Sequence, residues 1–371
     1  MKNLRKLLIL ILTFSTLMAF SKEDPIKKHT IKVALLLDTS NSMDGLINQA
    51  KSQLWEIVNE LSYATCDNQD PDLLISLYEY GNDNLSSREG YIRQVIGFST
   101  DLDEISEKLF SLQTNGGNEF CGEVIQTSLR QLEWGNNRND LKLIFIAGNE
   151  PFTQGKINYQ DAAMQANELG VTINTIFCGN YQNGVHGKWK DGARLTFGDY
   201  MAIDHNQAIV HISSPYDDII IQLNNELNDT YIYYGDSGIS KMRLQESQDA
   251  NAAELNEVVV VGRAVSKSSR IYKNSSWDLV DAEKEPGFSY SKVDKKSLPK
   301  ALQNKTPDEL KKYVSQQRKK RLEIQQKIND LNTKRKDYVN QKRKESDSQG
   351  SLDSALLNAI KKQAKLKNYI W

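Results

Sequence analysis

The sequence predicts an α/β protein with a doubly wound, mostly parallel sheet and a C-terminal α-helical extension. Between Thr30 and about Tyr234, short apolar runs alternate with amphipathic helical patterns, which is how a parallel sheet covered by helices on both faces is written. The first apolar run, Ile31–Leu37, leads straight into the polar turn Asp38-Thr39-Ser40-Asn41-Ser42, so the carboxyl end of the sheet, where such folds bind their ligands, carries reactive oxygen atoms. Past Gly235 the composition turns polar, then basic and helical.

The elements follow in order. Lys2, Arg5 and Lys6 precede an apolar run from Leu7 to Phe20, and Ala19-Phe20-Ser21 supplies small residues for cleavage. This reads as a signal peptide over 1–21, because the run is shorter than the ~20 apolar residues of a membrane span. Strands are expected at Ile31–Leu37, Leu73–Tyr80, Ile92–Phe98, Leu141–Ala147, Val171–Cys178 and Ala208–Ser213. The polar loop Gly81 to Gly90 makes the second and third of these a hairpin, so one edge strand is antiparallel. Helices are expected at Leu46–Leu61, Asp101–Leu112, Glu123–Trp134, Tyr159–Leu169 and Tyr216–Leu227.

One domain is therefore expected over 30–234. A linker over 236–300 follows, with Leu255–Gly262 as an isolated Val-rich strand, and then a basic helical extension over 301–371. In the extension, Thr306-Pro307-Asp308-Glu309 has the N-cap, N1 and N3 residues of a helix start. That helix should reach about Arg343, and a last helix should run from Leu352 to about Leu366. Its apolar residues Leu310, Val314, Ile324, Ile328, Leu331 and Tyr338 form one narrow stripe, suited to a coiled-coil seam or to packing on the domain. Removing residues 300–371 is accordingly expected to leave the domain folded.

Several function classes are disfavoured. A net charge of -1 gives no global attraction to nucleic acid or anionic membrane, and the basic helix lacks interleaved aromatics for base stacking. The four histidines, His29, His186, His205 and His211, form no H-E-x-x-H, and neither a nucleophile elbow nor a phosphate-binding loop is present, so no enzyme is expected. Cys66, Cys121 and Cys178 are too few for a disulfide scaffold, and none forms a C-x-x-C pair.

The positive signal is Asp38, Ser40 and Ser42. One carboxylate and two hydroxyls at alternate positions of a tight turn can converge on one point, and such hard ligands suit Mg²⁺, Mn²⁺ or Ca²⁺. The other reading is local: Asp and Ser at such positions also cap a helix and bond loop amides. The Asp-x-Ser-x-Ser pattern after a strand resembles the metal-ion-dependent adhesion site of von Willebrand factor A domains, over roughly 30–234. The resemblance implies two further loops. The second, usually Gly-Gly-Thr, is here Gly116-Gly117-Asn118-Glu119, so Asn118 or Glu119 would supply the oxygen. The third usually holds an Asp after the fourth strand. Gly148 stands at that place, with Asn149 and Glu150 next to it. Cys121 lies in the second loop and Cys178 ends the fifth strand, so both map to this end, where a disulfide would suit an exported protein and two semi-buried thiols are the alternative.

These readings imply an exported protein, periplasmic or secreted at the cell envelope, that binds a protein partner with the help of a weakly held Mg²⁺ or Mn²⁺. The partner would supply a carboxylate to the ion. The alternative is a structural scaffold that self-associates through 306–343 and keeps a vestigial metal site.

Overall fold

The computed structural model describes residues 29–203, 212–345 and 352–371. The expected signal peptide over 1–21 lies outside them, as does most of the expected strand Ala208–Ser213. The central sheet contains β1 (Thr30–Asp38), β3 (Asp72–Tyr80), β4 (Ile92–Ser99), β5 (Leu141–Gly148), β6 (Thr172–Cys178) and β7 (Tyr200–Ile203), in the order β4-β3-β1-β5-β6-β7. All neighbours are parallel except β3 and β4, the expected hairpin edge. β2 (Thr65–Cys66) stands apart and pairs with β8 (Tyr369–Ile370) at the C-terminus.

The pleat of β1 sorts the core into two layers. Ile31, Val33 and Leu37 face one side, with Leu143 and Phe145 of β5, and are covered by α1 (Asp44–Ser62), α2 (Leu102–Phe110) and α7 (Asp217–Asn228). Ala34 and Leu36 face the other, with Ile144 and Ile146, and are covered by α3 (Cys121–Gln131), α4 (Tyr159–Leu169) and the short α5 (Tyr181–His186) and α6 (Trp189–Arg194). Because β1 and β5 are buried on both faces, they read as near-continuous apolar runs, each with one lysine near its start (Lys32, Lys142), instead of alternating ones.

The region past Gly235 differs from the expectation. Residues 236–300 are neither a linker nor a strand: they form α8 (Gly238–Leu255), α9 (Glu257–Lys267) and the short α10 (Leu279–Ala282). The Val-rich run is helical for local and tertiary reasons. Asn256 caps it by accepting from the Val259 N–H at 3.0 Å. Val258, Val261 and Val265 then follow at helical spacing and are buried with Val259 and Ala264. Gly262 lets α9 press onto α1, since a Cβ there would lie 3.3 Å from the Trp55 Cβ, and its carbonyl accepts from Asn59 at 2.8 Å.

α11 (Pro307–Glu345) starts as expected, with Thr306 and Glu309 bonding each other's backbone N–H at 3.3 and 2.7 Å, a capping box. Its stripe does not wait for a partner chain. Ile324 and Ile328 enter the main core, while Leu310 and Val314 close a smaller cluster with Ile232, Leu279 and Leu298. Leu356, Ile360 and Ala364 of α12 (Leu352–Lys365) and Tyr369 of β8 also belong to the main core. Residues 301–345 and 352–371 are thus part of the domain, and the seam assigned to self-association is used within the chain. No described helix is long and apolar enough to cross a membrane.

Candidate metal centre

Parallel strand order brings the ends of β1, β3 and β5 side by side, with Asp38 opposite Tyr80 and Leu37 opposite Ala147. Three loops meet above them. The first, after Asp38, turns sharply: the Ser40 N–H donates to Asp38 Oδ1 at 2.7 Å, and the Ser40 and Ser42 hydroxyls lie 3.5 Å apart. The second loop is pinned to it. The Asn115 N–H donates to the Thr39 carbonyl at 3.0 Å, and the buried Asn82 amide donates to the carbonyls of Thr39 at 3.4 Å and Gln113 at 2.9 Å. The Gly-Gly pair is needed for this approach, because a Cβ at Gly117 would sit 2.5 Å from the Gly81 carbonyl oxygen.

That packing delivers Glu119, not Asn118, to the centre. Asn118 is exposed, whereas Glu119 is 3 % exposed and lies against Asp38. Its Oε2 also accepts from the Glu150 N–H at 3.3 Å, which ties in the third loop. Asn149 reaches the first loop by donating to Ser42 Oγ at 3.0 Å. Asp38, Ser40, Ser42, Glu119 and Asn149 therefore converge, and Asn118 does not join them.

Gly148 explains the missing third-loop carboxylate. A Cβ there would meet the Tyr80 hydroxyl at 2.5 Å and Asp38 Oδ2 at 3.2 Å. The Tyr80 hydroxyl is committed to the Ala147 carbonyl at 2.9 Å, so a larger residue at 148 has nowhere to go. The second carboxylate of the centre comes from the second loop instead, as Glu119.

Asp38 is fully buried, and its Oδ2 has no hydrogen-bond partner among the described residues; nor has Asn149 Oδ1. Burial first, and then the neighbouring Glu119 carboxylate, hold Asp38 well above the usual carboxylate range. Two carboxylates, two hydroxyls and an amide oxygen around orphaned buried acceptors fit a hard dication, whose charge would offset both acids. Helix capping does not account for the orphaned oxygen, because the turn uses only Oδ1.

The cysteines do not support the expected disulfide. Cys121, Cys178 and Cys66 are all free and buried. Cys121 belongs to the α3 layer, with its sulfur 3.9 Å from the Tyr80 hydroxyl, whereas Cys178 points into the α1 layer. The sheet lies between them, because Cys178 has the opposite strand parity to Phe177. Burial pushes both thiols well above their ordinary values.

Sequence reasoning missed Asn82, which clamps the first two loops. Its only signal was a polar residue directly after Gly81 at a strand end. A model of the von Willebrand factor type A domain matches residues 32–185. Among solved structures, the conserved hypothetical protein BatB from Bacteroides thetaiotaomicron aligns at 16 % identity and a TM-score of 0.36, over 47 % of this chain and 90 % of that one. Proximal thread matrix protein 1 from the mussel byssus, with a zinc-occupied MIDAS motif, aligns at 9 % and 0.35, over 48 % and 43 %. The pilus adhesin SpaC from Lactobacillus rhamnosus GG aligns at 11 % and 0.35, over 49 % and 28 %. Identities and scores this low assign no ligand and no partner to the present chain. No curated protein matches.

Proposed function

Residues 32–185 are a von Willebrand factor type A domain, and we propose that it serves in an exported protein as a protein-binding module whose docking point is a divalent cation at the end of the sheet. The observation that carries this reading is the buried, unpartnered Asp38 Oδ2 beside the Glu119 carboxylate. Two carboxyl groups this close cannot both stay ionised out of water, so without an ion the pair keeps a proton between them, and a cation would take that proton's place. Asp38, Ser40, Ser42, Glu119 and Asn149 would hold Mg²⁺ or Mn²⁺, and the ion would supply a positive point for an acceptor on the partner. An acidic side chain of the partner protein is the fitting ligand, since hard cations prefer carboxylate oxygen. Export is supported by the basic and apolar N-terminal segment.

Thermal melting with added cation tests the site. Mg²⁺ or Mn²⁺ at millimolar concentration should raise the melting temperature of the wild type, because ligand binding to the folded state stabilises it by mass action. Asp38→Ala and Glu119→Gln should remove that rise. A wild type indifferent to both ions would sink the reading. Capture of a protein from envelope extract by the wild type, lost with a chelator and lost in Asp38→Ala, tests the docking role.

A further inference from the structure

We infer that His29, Cys66 and Asp67 form a second metal site, for a zinc-class ion, at the opposite end of the sheet from Asp38. One ligand atom from each of these residues lies within 4.8 Å of the other two. β1 separates the two sites, and its nine residues span roughly 30 Å.

The three ligands come from separate pieces of chain that the fold holds together. His29 immediately precedes β1, and its carbonyl accepts from the Asp72 N–H at 3.1 Å. Cys66 lies in β2, opposite Tyr369 of β8. Asp67 sits on a two-residue turn closed by paired backbone bonds between Cys66 and Gln69 at 3.0 and 2.9 Å. Asp67 and Asn68 both take left-handed φ values, 51° and 57°, as the two central residues of such a tight turn must. The turn aims the Asp67 carboxylate at the imidazole, with Oδ2 3.0 Å from His29 Nε2.

An ion pair with a neighbouring buried thiol accounts for only part of this geometry. The imidazole is buried, 7 % exposed, yet its Nδ1 has no hydrogen-bond partner among the described residues. The buried Cys66 thiol donates to the Lys367 carbonyl at 3.6 Å, a weak hydrogen bond that ligation of a metal would replace. Imidazole, thiolate and carboxylate are the ligands that Zn²⁺ takes, at bond lengths of about 2.0–2.3 Å. Ligand atoms around such a tetrahedral ion lie roughly 3.3–3.6 Å apart, so small rotations would close the site. On binding, the thiol proton passes to solvent. The dication, one thiolate and one carboxylate then sum to zero, which suits a mostly buried place. Asp67 is exposed, which leaves an entry path and an open fourth position for water. The ion would join the start of β1 to the β2 turn beneath the C-terminal strand. That strand is also held there by a two-residue ladder, by the Tyr369 hydroxyl, which donates to the Thr30 carbonyl at 3.2 Å, and by Trp371 Nε1, which donates to the Glu60 carbonyl at 3.0 Å.

Cobalt(II) titration of the reduced, purified chain in excess Mg²⁺ tests the site, because Mg²⁺ competes for the oxygen site and thiolate ligation to cobalt gives its own charge-transfer absorption. One equivalent of Co²⁺ should produce that band in the wild type and in Asp38→Ala, and Zn²⁺ should displace it. Cys66→Ser and His29→Ala should abolish it. Asp67→Asn keeps a residue that tolerates the turn, so the chain should fold while Co²⁺ affinity falls by roughly tenfold or more. Absence of the band in the reduced wild type overturns the inference. So does its survival in Cys66→Ser, or unchanged affinity in Asp67→Asn.

Discussion

At the scale of single residues, the centre at the end of the sheet turns on which side chain fills which few cubic ångströms. Position 148 is the clearest case. The Tyr80 hydroxyl occupies the space that a side chain there would need, so the acid of the third loop is absent and Glu119 stands in from the second. Gly148→Ala should therefore destabilise the fold by about 1–3 kcal/mol through overpacking. Tyr80→Phe in the same chain should recover part of that loss. Chemical denaturation of both variants measures it, and a neutral Gly148→Ala would show that the space at 148 is not limiting. The buried Arg321 is a second residue-scale determinant. It donates to Asp278 Oδ2 at 2.6 Å and to the Thr230 carbonyl at 2.9 Å, and its guanidinium lies 4.0 Å from the Tyr231 ring centre. Burial pushes the Asp278 carboxyl above its ordinary value despite this partner. Arg321→Ala should cost roughly 3–5 kcal/mol, since it leaves a buried acid without its counter-charge. A loss under about 1 kcal/mol would mean that water readily replaces the guanidinium.

At the scale of elements, α8 and α9 are joined by charge as well as by valines. Asp249 of α8 pairs with Arg263 and with Lys267 of α9, the latter at 2.9 Å, and Arg263 also meets Asp103 of α2 at 2.8 Å. Burial alone would raise the Asp249 carboxyl, but Lys267 and Arg263 outweigh it and hold the group well below the usual carboxylate range. Burial pulls the Lys267 ammonium down to about 8. The sign for Asp249 follows from linkage: a folded-state pKa below the unfolded value of about 3.9 gives stability that is fully present above that pH and is lost as pH falls from there through the lower folded-state value. Asp249→Asn should lower stability at neutral pH by roughly 2–4 kcal/mol. It should also make the loss below pH ~4 shallower than in the wild type. Denaturant midpoints across the acid range measure both, and parallel curves for the two proteins would contradict the assignment.

At the scale of the whole molecule, the C-terminal segment closes the same core as the first strand. Ile324, Ile328, Leu356, Ile360 and Tyr369 share one cluster with Ile31, Trp55 and Leu143. Truncation after residue 300 should therefore give an insoluble or poorly folded chain, because these five side chains alone remove about 1.5–3 kcal/mol each of apolar burial. Solubility and far-ultraviolet circular dichroism of the truncated chain check this. A cooperative fragment melting near the wild type would restore the tail to an appendage.

The sequence by itself determined the strand–helix alternation, the antiparallel edge, the start of α11 and the triplet Asp38, Ser40 and Ser42. Each of these is written in neighbouring residues, as a period, a cap or a turn. Tertiary structure alone decided the rest. Four consecutive valines at 258–261 have no visible period, so α9 became a helix only because α1 offers a face at helical spacing and Asn256 caps its start. The thin stripe of α11 became core because α7 and α9 cover it from the side. Whether Asn118 or Glu119 enters the centre, and whether Cys121 can reach Cys178, depends on which face of a loop or strand a side chain leaves from. A single residue of register reverses that choice, and only the packed sheet sets the register.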